Sequence, residues 1–186
     1  MGQADTLPLP STTWKAGYLQ DTSVRRLVVE QYDRESVPLR RYLQFLGIDP
    51  ETAQEIVHES FLKLHQHLLG GGDRTNLRAW LYRVSHNLAR NAQSAFRSSK
   101  TDALPDVTVS GDLASPAASI EQELLAEERN RLVRKAMEGL SAAQRDCLVL
   151  RAQGFKYREI AEVLSLSVST VGENIQRGLE KVKELL

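Results

Sequence analysis

Cysteine is nearly missing from this chain of 186 residues: Cys147 stands alone. A disulfide framework and a cysteine zinc site are therefore both excluded within one chain. Cys147 sits in QRDCLVL between apolar neighbours, which reads as a small buried hydrophobe in a reducing, cytoplasmic compartment. No apolar run approaches the length that spans a bilayer, so no membrane insertion is expected. The opening MGQADTLPLPSTTW has no basic stretch followed by an apolar one, so it is no secretory signal. Met1, Gly2 and Thr6 match only the short N-myristoylation pattern, and residues 1–22 are read as a flexible leader. Net charge is missing too: 24 basic residues balance 24 acidic ones, which argues against a supercharged or disordered chain.

Enzyme signatures are also absent. The glycines at 70–72 lack the Gly-Lys-Ser/Thr that completes a phosphate-binding loop. No Gly-x-Ser-x-Gly elbow occurs, and no catalytic residue is assigned. Of the four histidines, His58 and Glu59 are followed by Leu62 where a zinc-protease motif needs histidine. His65 and His67 fall on different helix faces. All four, His86 included, read as solvated or structural, with no metal and no cofactor indicated.

What is present is helical periodicity. Val24, Leu27, Val28 and Tyr32 recur at helical spacing from Thr22, followed by Leu39, Leu43 and Leu46, with a break or kink expected near Val37 because Pro38 lacks an amide donor. Asp49 and Pro50 form an N-cap and first helical residue for a helix to Leu69. Its buried stripe is Ala53, Ile56, Val57, Ser60, Phe61, Leu64 and Leu68. The triple glycine ends it and reads as a flexible connector. From Asn76 to Arg97, the residues Leu77, Trp80, Leu81, Val84, Leu88 and Ala92 mark one apolar face. These segments predict a helical unit over 23–99.

Composition changes at Lys100. Residues 101–119, TDALPDVTVSGDLASPAAS, hold three aspartates and two prolines with no basic residue, so 100–119 reads as an extended acidic linker. A second helical unit follows over 120–186. It starts with a polar helix from Ile120 that ends near Gly139, then a helix from Ser141 to Gly154. Helices from Tyr157 to Leu164 and from Ser167 onward complete it. The fold class is thus all-α, two small helical domains on a tether.

The last two helices fit a helix-turn-helix. Ile160, Ala161 and Leu164 would face Val168, Val171, Ile175, Leu179 and Val182 across Ser165, Leu166 and Ser167, and the second helix would present its amino-terminal half to base edges. Its outward side offers Ser169, Thr170, Asn174, Gln176 and Arg177: hydroxyls for phosphates, amides for adenine, and one arginine. Glu173 suits a cytosine amino group or the helix dipole. On the second long helix, Glu51, Gln54, Glu55, His58, Glu59 and Lys63 form a polar face, either solvated or a docking surface. Periodicity does not choose between the two.

Three stretches together resemble the bacterial sigma-70 family, in its small extracytoplasmic-function (ECF) form. AQEIVHESF (53–61) is similar to the family's Ala-Glu-Asp-Leu-Val-Gln-Glu-Val-Phe. LRAWLYRVSHN (77–87) is similar to Phe-Arg-Ala-Trp-Leu-x-x-Ile-Ala-x-Asn, and residues 141–171 resemble region 4. The resemblance implies a sigma factor that binds core RNA polymerase through Glu55, His58 and Glu59. It further implies that the loop 72–76 with Arg83, Asn87 and Arg90 holds and melts the -10 element. Ser169, Thr170, Asn174, Gln176 and Arg177 would read the -35 element of promoter DNA. An anti-sigma factor is a common partner in the family, and no residue here identifies one.

The chain departs from the family where the recognition helix usually reads Thr-Val-Lys-Ser-Arg-Leu. Here it reads TVGENI (170–175), with Gly172 and Asn174 in place of two cations, and each lost phosphate contact weakens the salt-dependent part of binding. Weak binding to free DNA is expected, with polymerase tethering supplying the remainder. Two alternatives stay open: a stand-alone helix-turn-helix regulator, and a degenerate sigma paralogue acting as an interaction module.

Overall fold

The computed structural model describes residues 12–99 and 139–185, and the regular structure in them is all helical. Helix α1 spans Thr12–Phe45, a longer element than the periodicity from Thr22 indicates. Part of the expected leader is therefore helix. Asp21, on that extension, pairs with Arg25 at 2.8 Å and faces His65 of the next helix at 3.6 Å. Of the break or kink expected near Val37, the break does not occur, and α1 runs on through Pro38. Proline costs the helix one hydrogen bond, but Leu39, Tyr42 and Leu43 directly after it are fully buried. Their packing outweighs the lost bond.

Gly47, at φ +84°, turns the chain out of α1, and helix α2 (Pro50–Leu69) begins at the Asp49 cap, whose carboxylate accepts from Thr52 N–H at 3.0 Å. That acceptance holds the Asp49 carboxyl below its ordinary pKa. All seven residues of the expected stripe are buried. Within it, Ser60 Oγ donates to Ile56 O at 2.7 Å and meets Ser85 Oγ of helix α3 (Leu77–Ser99) at 2.6 Å. A polar pair in the core is thereby satisfied.

In the second unit, helix α4 (Ala142–Ala152) starts at a capping box. Ser141 Oγ accepts from Gln144 N–H, and Gln144 Oε1 accepts from Ser141 N–H. Gly154, at φ +89°, leads into α5 (Tyr157–Leu164), and Ser165 ends that helix in the left-handed region at φ +54°. Helix α6 (Val168–Leu185) follows. These bounds match the helix-turn-helix reading. Its inward face needs correction, because Val168 and Leu179 are 48% and 47% exposed. The seam is instead Val171, Ile175 and the buried Gly178. A Cβ on Gly178 would stand 2.8 Å from Leu148 Cδ1, so this glycine lets α4 and α6 approach closely.

The linker 100–119 and the polar helix from Ile120 lie outside the described residues. Among those described, no helix is long and apolar enough to cross a membrane.

Candidate functional site

Three exposed faces carry the residues singled out from the sequence. On α2, Glu55, His58 and Glu59 are all exposed, one helical turn apart. His58 bonds Gln54 at 2.9 Å, and its ring stacks over Tyr32 at 6.5 Å. Glu59 pairs with Lys63 at 3.2 Å. Such exposed i,i+4 pairs contribute little stability, so this face is available to a partner.

On α3, Arg83, Asn87 and Arg90 are exposed and recur at four- and three-residue steps, which places them on one helical stripe. The loop that precedes them is tightly built, correcting the expectation of a flexible connector. The His67 ring stacks on Trp80 at 4.9 Å, and its Nε2 meets Asp73 O at 3.2 Å. Asp73 in turn accepts from Thr75 N–H at 2.9 Å and from the Thr75 hydroxyl. Gly71 needs its φ of +78°. Gly72 has no room for a side chain, since a Cβ there would fall 2.2 Å from His67 Cε1. The glycines thus allow a ring to roof the loop.

On α6, the recognition side chains are occupied by their own helix. Ser167 Oγ caps Thr170 N–H at 3.0 Å and meets the hydroxyls of Ser169 and Thr170 at 2.8 and 2.7 Å. Asn174 Nδ2 donates to Thr170 O at 2.9 Å, and Gln176 donates to Glu180 at 3.1 Å. Arg177 pairs with Glu173 at 3.4 Å. Arg177, the cation among these five side chains, is therefore shared with a carboxylate beside it. A Cβ on Gly172 meets only Tyr157 Cε2, at 3.8 Å, so no steric demand explains the glycine.

Helix α3 has a second buried face that the periodicity reading left out. Ala79, Tyr82, Ser85, His86 and Ala89 are buried, because α3 packs on α1 and α2 on one side and on α5 on the other. His86 Nδ1 and the Tyr42 hydroxyl share a hydrogen bond of 2.8 Å. Burial and then the Arg90 charge push the His86 pKa down to about 4, so its ring is neutral. On α4, burial pushes the Asp146 carboxyl up to about 6, against the opposing pull of Arg145 and Arg90. The spacing Ala79, Tyr82, His86 and Ala89 is helical, but its polar members mask the stripe. Among the described residues, no cluster of three histidine, cysteine or acidic side chains is placed to hold a metal.

Comparison with known proteins accounts for this geometry. Residues 31–100 match the model of Sigma-70 region 2, and residues 130–182 match that of Sigma-70, region 4. The chain is 28% identical over 161 residues to the RNA polymerase sigma factor SigZ of Bacillus subtilis, covering 86% of each chain. It is 31% identical over 134 residues to the ECF RNA polymerase sigma-E factor of Salmonella typhimurium, covering 69% of this chain and 70% of that one. It is 30% identical over 146 residues to the RNA polymerase sigma-H factor of Pseudomonas aeruginosa, covering 74% and 75%. Among solved structures, CnrH in complex with the cytosolic domain of CnrY shares the fold at a TM-score of 0.63 and 22% identity, covering 91% of this chain and 93% of that one. The sigma factor RpoE of Bartonella quintana, in complex with the anti-sigma factor NepR, gives 0.59 at 20% identity, covering 84% and 95%. With region 2 and region 4 matched in order along one chain, and with full-length relatives at this level of identity, the chain belongs to the sigma-70 family of RNA polymerase sigma factors, in its ECF group.

Proposed function

We propose that this chain is a promoter-specificity subunit with no catalytic step of its own: it binds core RNA polymerase in the cytoplasm and directs it to a set of promoters. The observation that carries the reading is the pairing of both family regions with three exposed polar faces, one for each contact such a subunit must make. Glu55, His58 and Glu59 on α2 dock on the polymerase. Arg83, Asn87 and Arg90, with the roofed loop before α3, hold the melted -10 strand, where exposed cations track the backbone and ring faces stack on bases. Ser169, Thr170, Asn174, Gln176 and Arg177 read the -35 element in the major groove. The acidic linker passes through a basic channel of the polymerase. An anti-sigma partner fits the same reading, as Bartonella RpoE is seen with one.

Transcription in vitro with bacterial core polymerase and fragmented genomic DNA tests it. Discrete new start sites that share two upstream elements are expected. Stable binding to core without any new start would instead favour the degenerate paralogue, whose support is the near-neutral recognition helix. No binding to core would leave the stand-alone regulator.

Restoring a cation gives a further check. Gly172→Lys has room at Cβ and replaces a helical glycine, which stabilises by about 0.5–1 kcal/mol. The substitution is expected to raise the melting temperature and tighten binding of the isolated protein to duplex DNA. The slope of log K against log salt should steepen by about 1. An unchanged slope would mean that position 172 does not approach phosphate.

A further inference from the structure

Two hydrogen bonds on the polar face of α2 decide where a proton sits. Arg40, exposed near the end of α1, donates through Nη1 to Gln54 Oε1 at 3.4 Å, and Gln54 Nε2 meets His58 Nε2 at 2.9 Å. A guanidinium offers only donors and no acceptor. The Gln54 amide therefore turns its oxygen toward Arg40, because the reverse orientation would oppose N–H to N–H. Its nitrogen then points at His58, and an amide nitrogen only donates. His58 Nε2 must accept, and to accept it must be bare.

A neutral imidazole has one N–H and one bare nitrogen, and the hydrogen bond made by one settles the role of the other. With Nε2 accepting, the proton of His58 sits on Nδ1, the reverse of the Nε2–H form that free histidine side chains favour. The Tyr32 ring of α1, within 16° of parallel to the imidazole, steadies its plane. His58 is exposed, and its Nδ1 makes no hydrogen bond among the described residues. The relay from Arg40 thus ends on an unused N–H. A glutamate at position 54, as in the family motif, could only accept. Gln54 is what allows donation toward position 58.

We infer that Arg40 and Gln54 are positioning residues that fix His58 as its Nδ1–H tautomer, so that the polymerase-docking face of α2 presents one N–H donor beside the carboxylates of Glu55 and Glu59. The use in docking rests on the function proposed above, whereas the tautomer does not. The partner surface that fits this face sets an oxygen acceptor among basic side chains. Reversing the tautomer would turn a lone pair toward that oxygen, and an acceptor left facing an acceptor at a desolvated contact weakens binding.

Long-range proton–nitrogen correlation spectra of the histidine rings in the full chain test the tautomer, at about pH 8.5, above the ordinary imidazole range. His58→Ala identifies the ring by the signals that vanish. Protonated Nδ1 and bare Nε2 are expected in the wild type, with a return to the Nε2–H form in Gln54→Ala. Arg40→Ala lets the amide turn and should mix the two forms, and Gln54→Glu, which can only accept from Nε2, should reverse the tautomer. An Nε2–H ring in the wild type, or a ring indifferent to these changes, would overturn the relay. Binding to core polymerase tests its use. Gln54→Glu is expected to weaken binding at least about fivefold, but by less than about twofold where His58→Ala is already present. Equal losses in both backgrounds would show the added charge acting by itself and would overturn the donor role. A wild type that does not bind core would refute the function proposed above, an outcome the ring spectra do not share.

Discussion

Alanine at Arg83, Asn87 and Arg90 together is expected to leave core polymerase binding within about twofold while lowering open-complex formation at least about a hundredfold. All three side chains are exposed on α3, so their truncation opens no cavity, and loss of the Arg90 charge acts in opposite senses on His86 and Asp146. What is lost is two exposed cations and an amide, which the function proposed above sets against the strand. With the two arginines gone, the salt slope of promoter binding should flatten by about 2. Alanine at Glu55, His58 and Glu59 should give the opposite pattern, losing polymerase while the isolated protein keeps its fold. Binding to core and potassium permanganate footprints of the melted promoter, measured on both triple variants, check the separation. If the α3 variant melted promoters as wild type does, the stripe would have no role on the -10 strand.

The second large effect is hidden by cancellation. His86 has its pKa pushed from 6.5 down to about 4, first by burial and then by Arg90. It therefore contributes stability that is present above pH 6.5 and is lost as pH falls toward 4. Asp146 has its pKa raised from 3.8 to about 6 by burial, opposed by Arg145 and Arg90. Its contribution is present below pH 3.8 and is lost as pH rises toward 6. The groups facing it are Arg90 from α3 and Tyr42 from α1, whose own pKa burial and then Asp146 raise. Among the described residues its sequence neighbours Arg145 and Cys147 also lie beside it, and burial and then Asp146 push the Cys147 thiol up to about 11.

Between pH 4 and 6 the two slopes oppose each other, so the wild type should show a nearly flat stability profile there. Asp146→Asn removes one slope. Its unfolding free energy is expected to rise by about 3 kcal/mol from pH 4 to 6.5, at about 1.4 kcal/mol per tenfold change in proton affinity. His86→Gln should show the reverse, falling as pH rises. Urea unfolding at half-unit pH steps reads both, and a flat profile in Asp146→Asn would refute the opposition.

Local rules made much of this molecule legible. The α2 stripe, the Asp49 and Ser141 caps, and the bounds of α5 follow from capping chemistry and helical period, both of which act within a few residues. The length of α1 did not follow, because Pro38 is overridden by the burial of Leu39, Tyr42 and Leu43, a tertiary effect. The role of Gly72 was illegible for a similar reason: the ring that fills its space comes from His67, on the preceding helix. Likewise, the face of α3 with Tyr82 and His86 is buried by elements far away in sequence. The exposed positions at Glu55 and Arg83 and the half-buried Asn174 were legible as faces of helices. The partners proposed for them rest only on the resemblance of whole motifs, since a polar stripe has the same period whatever it touches.

The ion pair between Arg177 and Glu173 bears on how the factor is distributed in a cell. A chromosome offers on the order of a million or more non-specific sites, and a strongly cationic reader spends most of its time parked on them. A recognition helix whose Arg177 is shared with Glu173, and whose three basic residues are balanced by three acidic ones, is held less tightly on them. Its free pool then tracks how much protein is made, and a small burst of synthesis passes directly to polymerase without first saturating the genome.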